Sequence, residues 1–225
     1  MARFLHLTGL TDYTDAHELQ RSLVDAVAAG TEPDTVLLLE HAEVITLGRK
    51  RGAEDHVLDA GDVPVVHVER GGDVTWHGPG QLVAYPIIKL EGKRADLHLH
   101  LRSLEQAVID LLAEQGLTAG RDARNTGVWL PGGDPEARKV CSIGIAARRW
   151  VSWHGLALNV DVDLSHFDRI APCGFDASIM TTVAQHSQPA PTVAELVPGL
   201  ARCLARTLDV SLDTLQSVTS SALHS

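Results

Sequence analysis

Apolar side chains at Leu97, Leu101, Leu104, Val108, Leu111 and Leu112 mark one face of a long helix that Gly116 closes. Such a stripe must be buried, and the chain around it offers surfaces of a different period. After a short opening strand at 3–7, the compact, mostly apolar runs 35–39, 44–47, 64–68, 82–88, 126–130, 140–146 and 156–162 read as strands. A turn over Pro131-Gly132-Gly133-Asp134 separates two of them. A second helix begins at Asp15, with Glu18 placed as in a capping box, repeats at Leu19, Leu23 and Val27, and stops at Gly30. A third starts at the Thr192/Glu195 pair, should kink or restart at Pro198, and continues through Leu200, Leu204 and Leu208. Strands and helices mix without strict alternation, which favours one α+β domain with a largely antiparallel or mixed sheet. That domain spans 1–216, and the small polar tail 217–225 is expected to fray.

Composition narrows the function classes. At 225 residues and 44% apolar content the chain can bury one sizeable core, and no window approaches a membrane span. The opening MARFLHLTGLTDYTD turns polar too soon for a secretory signal, so a cytoplasmic, reducing setting and no membrane partner are expected. The formal charge of −10 argues against nucleic-acid binding, which needs clustered cations. Gly48-Arg49-Lys50-Arg51-Gly52 lacks the spacing of a P-loop, and Gly71-Gly72 lacks the dinucleotide fingerprint. Cys141, Cys173 and Cys203 show no paired spacing, and cysteines and histidines never gather at ligand spacing, so neither disulfide, metal nor cofactor is expected.

Four features carry potential chemistry. Cys173 sits between Pro172 and Gly174 in a broken segment that presents its side chain outward, whereas Cys141 and Cys203 lie inside apolar runs. It is either a reactive thiol or an inert one. Lys139, at the mouth of an apolar strand, is either a solvated strand end or an ammonium that favours a nearby thiolate. His77 and His154 share the setting Trp-His-Gly, where the glycine lets something approach the backbone. His98 and His100, two apart on a helix, point away from each other and make no metal clamp.

The motifs Arg70-Gly71-Gly72-Asp73-Val74-Thr75-Trp76-His77-Gly78-Pro79-Gly80-Gln81, Lys139-Val140-Cys141-Ser142-Ile143-Gly144, His154-Gly155-Leu156-Ala157-Leu158-Asn159-Val160 and Pro172-Cys173-Gly174 follow in this order. Together they make the chain resemble the octanoyltransferase family of lipoate biosynthesis, over about 40–182. It departs downstream of the cysteine, where Ile179-Met180-Thr181-Thr182 replaces a Val-Thr-Ser-Leu-like run. The resemblance implies the fold of biotin- and lipoate-protein ligases, a mixed sheet flanked by helices. It implies that Cys173 forms an acyl thioester, that Lys139 lowers that thiol's pKa, and that no cofactor is required. The acyl substrate would be held by Arg70, Gly71, Gly72, Asp73, Val74, Thr75, Trp76 and His77, by Ser142, Ile143 and Gly144, and by Gly155, Leu156 and Ala157.

The implied reaction is the first step of endogenous protein lipoylation, and a monomer is the default expectation for the chain. Octanoyl-acyl carrier protein is the donor, and lipoyl domains of 2-oxoacid dehydrogenases and the glycine cleavage H protein are the acceptors. The rival readings are an ATP-dependent lipoate-protein ligase on the same fold, a Cys-His thioesterase with His77 as base, and a non-catalytic lipoyl-domain-binding module. Because both protein partners of this family are typically acidic, a local basic rim of Arg49, Lys50, Arg51, Arg148 and Arg149 is expected to offset the net charge.

Overall fold

In the computed structural model, which describes residues 2–131 and 137–220, two central strands are buried on both faces. These are β2 (Asp34–His41) and β6 (Gln81–Ile87), third and fourth in an eight-stranded sheet. The sheet begins β11 (Leu212–Thr219), β1 (Ala2–Thr11), β2 and β6. It continues with β10 (Val151–Asn159), β9 (Arg138–Arg148), β8 (Asn125–Leu130) and β7 (Gly120–Asp122). β1 pairs in parallel with β11 and β2, and the remaining pairs are antiparallel, so the sheet is mixed as the sequence leads one to expect.

The two-residue period of a strand explains the core. Val36 and Leu38 of β2 face α2 (Leu97–Glu114) and α3 (Val193–Thr207), while Leu37 and Leu39 face α1 (Tyr13–Ala29). A second, three-stranded sheet in the order β4 (Val65–His67), β3 (Val44–Leu47), β5 (Val74–His77) stands over its own core of Ile45, Leu47, Trp76, Phe167, Ile170 and Met180. The candidate site lies where these two sheets meet.

Several sequence expectations shift. Asp12, not Asp15, caps α1, accepting from the backbone N–H groups of Thr14 and Asp15 at 2.7 and 3.4 Å. The Thr192/Glu195 capping box forms as expected. α3 nevertheless runs through Pro198, because the apolar stripe on either side of it stays packed on the sheet and α2. Leu97, first in the expected stripe, is 38% exposed at the start of its helix, whereas Leu104, Val108, Leu111 and Leu112 are fully buried. β10 starts at Val151, earlier than expected, because Arg149 and Trp150 adopt φ of 52° and 60° and close a tight hairpin with β9. The expected fraying tail begins inside β11, with Ser217, Val218 and Thr219 paired to β1. The end of that tail and all of the expected Pro131–Asp134 turn after Pro131 lie outside the described residues. Among the described residues no helix is long and apolar enough to cross a membrane.

Candidate active site

The segment Arg70 to Asp73 makes no regular structure of its own and is held through its backbone. Gly71 N–H donates to the Ile145 carbonyl of β9 at 2.9 Å, while Arg49 and Lys50 donate to the Arg70 and Gly72 carbonyls at 3.0 Å each. Gly144 of β9 permits this approach, since a Cβ there would stand 2.8 Å from the Gly71 carbonyl oxygen. The docked segment and the strands enclose a cavity of about 630 Å³, within the range of small-molecule sites.

Of the residues expected to hold an acyl group, all but Trp76 line this cavity: Arg70, Gly71, Gly72, Asp73, Val74, Thr75, His77, Ser142, Ile143, Gly144, Gly155, Leu156 and Ala157. Trp76 alternates to the opposite face of β5, where its fully buried ring stacks on His166 at 4.8 Å. Lys139 and Pro172 also line the cavity. Pro172–Gly174 forms a short 3-10 turn anchored by Ala171 N–H to the His56 carbonyl at 2.8 Å, and the Cys173 side chain lies outside the described positions.

Lys139 is 7% exposed rather than a solvated strand end. Its ammonium donates to Asn125 Oδ1 at 2.8 Å and lies 5.7 Å from the Trp129 ring. Gly127 leaves room for its stem, because a Cβ there would come 2.6 Å from Lys139 Cε. Behind Gly127, the buried Glu105 of α2 accepts from its N–H at 3.3 Å and pairs with Arg102 and Arg121 at 2.7 Å each. The departing Met180-Thr181 segment supports the same lysine from the other side, with Thr181 N–H donating to the Lys139 carbonyl at 3.0 Å.

A relay of side chains fixes the His77 tautomer. Arg70 Nη2 donates to Thr46 Oγ1 at 2.9 Å, and that hydroxyl reaches His77 Nε2 at 3.4 Å. His77 Nδ1–H donates to Gln81 Oε1 at 2.8 Å, and Gln81 Nε2 donates to Asn159 Oδ1 at 2.9 Å. Burial pushes the His77 pKa well below 6.5, so the ring is neutral with both nitrogens engaged. A ring lowered this far is a weak base, which counts against a Cys-His thioesterase with His77 as base. Next to it His41, lowered to about 4 by burial, donates from Nδ1 to Thr11 O at 3.0 Å and accepts from Tyr85 O–H at 2.8 Å. Tyr13 stacks on His77 with centroids 6.0 Å apart, and burial raises its pKa to about 12. This part of the wall is therefore neutral and ring-lined.

Asp73 carries the wall's buried negative charge. Burial works to raise its pKa, but hydrogen bonds from Lys50 at 2.7 Å, His56 at 2.8 Å and Val74 N–H at 2.8 Å outweigh it and hold the carboxyl below its ordinary value. The expected basic rim is redrawn. Of the five expected residues only Lys50 lines the cavity, joined by Arg102 and Arg124; Arg49 and Arg51 stay exposed beside it, and Arg148 and Arg149 pair with Asp25 at 3.2 and 3.6 Å. Cys141 and Cys203 are core thiols pushed up by burial to about 12 and about 11. Tyr13, Tyr85 and Asn125 escaped the sequence reading. The signal available for the tyrosines was their scarcity, since the chain has only two and both line the cavity.

The family model described as the lipoyl protein ligase A/B catalytic domain matches residues 12–205. An octanoyltransferase of Gloeobacter violaceus is 43% identical over 206 residues, covering 91% of this chain and 90% of the relative. Another, of Geobacter sulfurreducens, is 48% identical over 190 residues, covering 84% and 78%. The solved bi-partite lipoate protein ligase of Thermoplasma acidophilum superposes with a TM-score of 0.73 at 18% identity, covering 99% of this chain and 90% of that one, and so shares the fold.

The buried rings set the acid stability. His41 and His100 are lowered by burial to about 4 and His154 to about 3, against 6.5 ordinarily. The unfolded chain therefore takes up these protons first as pH falls. Their contribution is complete above about pH 6.5 and is lost on descending toward the folded values. At roughly 1.4 kcal/mol per group per pH unit, the three together give a slope of order 4 kcal/mol per unit at most. Tm should fall steeply between pH 6.5 and 4.5 in a calorimetric series; a flat Tm across that window would contradict the neutral-histidine assignment.

Proposed function

The chain belongs to the family of the lipoyl protein ligase A/B catalytic domain and is an acyltransferase; from that premise we propose that it transfers an octanoyl group to a lysine of lipoyl domains. The observation that carries the reading is one cavity whose wall combines neutral rings, the buried ammonium of Lys139 and the Pro172 turn that bears Cys173. The donor is octanoyl-acyl carrier protein. The acceptors are lipoyl domains of 2-oxoacid dehydrogenases and the glycine cleavage H protein, reached by a monomeric enzyme in the cytoplasm, where Cys173 stays reduced.

The steps follow from thioester chemistry. The Cys173 thiolate attacks the octanoyl carbonyl, a Cys173–acyl bond forms, and the carrier thiolate leaves and takes a proton. The amine of the acceptor lysine then attacks the enzyme thioester, an amide forms, and the Cys173 thiolate is released. Thioester to amide runs downhill, so the transfer needs no nucleotide. Lys139 supplies the positive charge that favours the thiolate and, once neutral, can take the proton of the incoming amine. Asn125 orients its ammonium. The docked segment Arg70 to Asp73, with Ser142 to Gly144 and Gly155 to Ala157, walls the acyl chain.

Intact mass after mixing with octanoyl carrier protein should show one octanoyl adduct that a lipoyl domain removes. The adduct should be absent in Cys173→Ser. Acylation that persists in that variant, or pyrophosphate release with free octanoate, would reject the mechanism. Lys139→Met should slow alkylation of Cys173 by iodoacetamide at neutral pH by about tenfold, the effect of one unit of thiol pKa; unchanged alkylation would remove Lys139 from its role. Arg49 and Arg51 are exposed beside Lys50. The double variant Arg49→Gln/Arg51→Gln should lose several-fold in kcat/KM toward carrier-bound substrate at low salt and keep its rate on a small octanoyl thioester. Equal loss on both substrates would reject a docking rim.

A further inference from the structure

His154 of β10 is 2% exposed, takes a φ of 55° and makes no hydrogen bond through either ring nitrogen. Native proteins seldom leave a buried imidazole without partners, because the lost hydration is not returned. What faces it is a carboxylate and a second imidazole. His154 Nε2 lies 3.9 Å from Glu69 Oε2, and the same oxygen is 2.9 Å from His17 Nε2. One ligand atom from each of the three residues falls within 4.8 Å of the other two, the sole such group among the described residues.

We propose that His17, Glu69 and His154 form a binding site for a zinc-class divalent cation. Zinc bonds to imidazole nitrogen and carboxylate oxygen are about 2.0–2.2 Å long, which sets tetrahedral ligand atoms about 3.3–3.5 Å apart. The 2.9 and 3.9 Å separations bracket that spacing, so small side-chain movements close the site. Two imidazoles and one carboxylate suit a borderline cation, and the cation would satisfy the ring that the protein leaves without hydrogen bonds. Burial, with the Arg70 guanidinium nearby, lowers the pKa of His154 and keeps it neutral, which is the form that ligates. Arg70 acts against a cation here, but its guanidinium is committed to Thr46, and Glu69 supplies the opposing charge.

The ligands come from α1, from the segment after β4 and from β10, so a bound cation would tie the helix to the base of the Arg70–Asp73 wall. His154 also lines the cavity, and zinc held by three protein ligands keeps a fourth position for water or a solute. This inference does not rest on the transfer reaction, and the cation takes no step in it.

The test uses the full chain as Cys173→Ser, so that the loop thiol cannot supply a ligand. After treatment with a chelator and its removal, Zn²⁺ is titrated in competition with a chromophoric chelator. One equivalent per chain is expected, with a rise in Tm as the cation fills the folded state. Co²⁺ should give the intense visible bands of four-coordinate geometry. His154 is buried and its replacement risks the fold, so the partly exposed His17→Gln and Glu69→Gln carry the argument. Each should weaken binding by roughly 100-fold or more, since losing even an outer partner of a ligand costs up to that much. Absence of stoichiometric Zn²⁺ binding, or binding that either variant leaves unchanged, overturns the site.

Discussion

Everything at the site depends on one close contact between backbones, the seating of the Arg70-to-Asp73 segment on β9. The Gly71 N–H to Ile145 carbonyl bond can form only because Gly144 presents no Cβ toward the Gly71 carbonyl. Once seated, the segment fixes Arg70, whose guanidinium organises Thr46, and through Thr46 the ring of His77, Gln81 and Asn159. Asn159 in turn donates to the Thr181 carbonyl at 3.1 Å, beside the strand bridge that holds Lys139. A single chain of hydrogen bonds therefore joins the wall of the cavity to the backbone of its lysine. Buried networks of this kind are costly when incomplete, which gives the fold a reason to keep every member in place.

Electrostatics divides the cavity. Burial lowers the histidines and raises the tyrosines, so Tyr13, His77 and Tyr85 stay uncharged and present ring surface to an apolar chain, with the neutral His41 behind them. The charged groups elsewhere are compensated. Glu105 is met by two arginines, Asp73 by Lys50 and His56, and Lys139 by Asn125 and the face of Trp129. The chain's net charge of −10 thus says little about the cavity's own field.

Much of this is legible in the sequence. The helical stripe after Leu101, the short apolar strands and the mixed character of the sheet follow from side-chain periodicity, which burial on two faces imposes directly. The glycines and Lys139 were legible as a linear motif. Trp76 lies off the cavity because a motif gives order along the chain but not side, and the pleat turns it away from its neighbours Thr75 and His77. The strand β11 was missed because it sits at the sheet's edge with little apolar alternation, stabilised by pairing with β1 rather than by its own pattern.

The sequence by itself determined the fold class, the segments that form the cavity wall and the family that their motifs resemble, since these depend on local period and residue order. Only the tertiary structure decided which side chains share a space. Asn125 reaches Lys139, Arg121 reaches Glu105 of α2, and His17, Glu69 and His154 converge from three elements. Their separations along the chain are set by helix and strand lengths, whereas their separations in space are set by how those elements pack. No spacing rule read along one dimension can recover that.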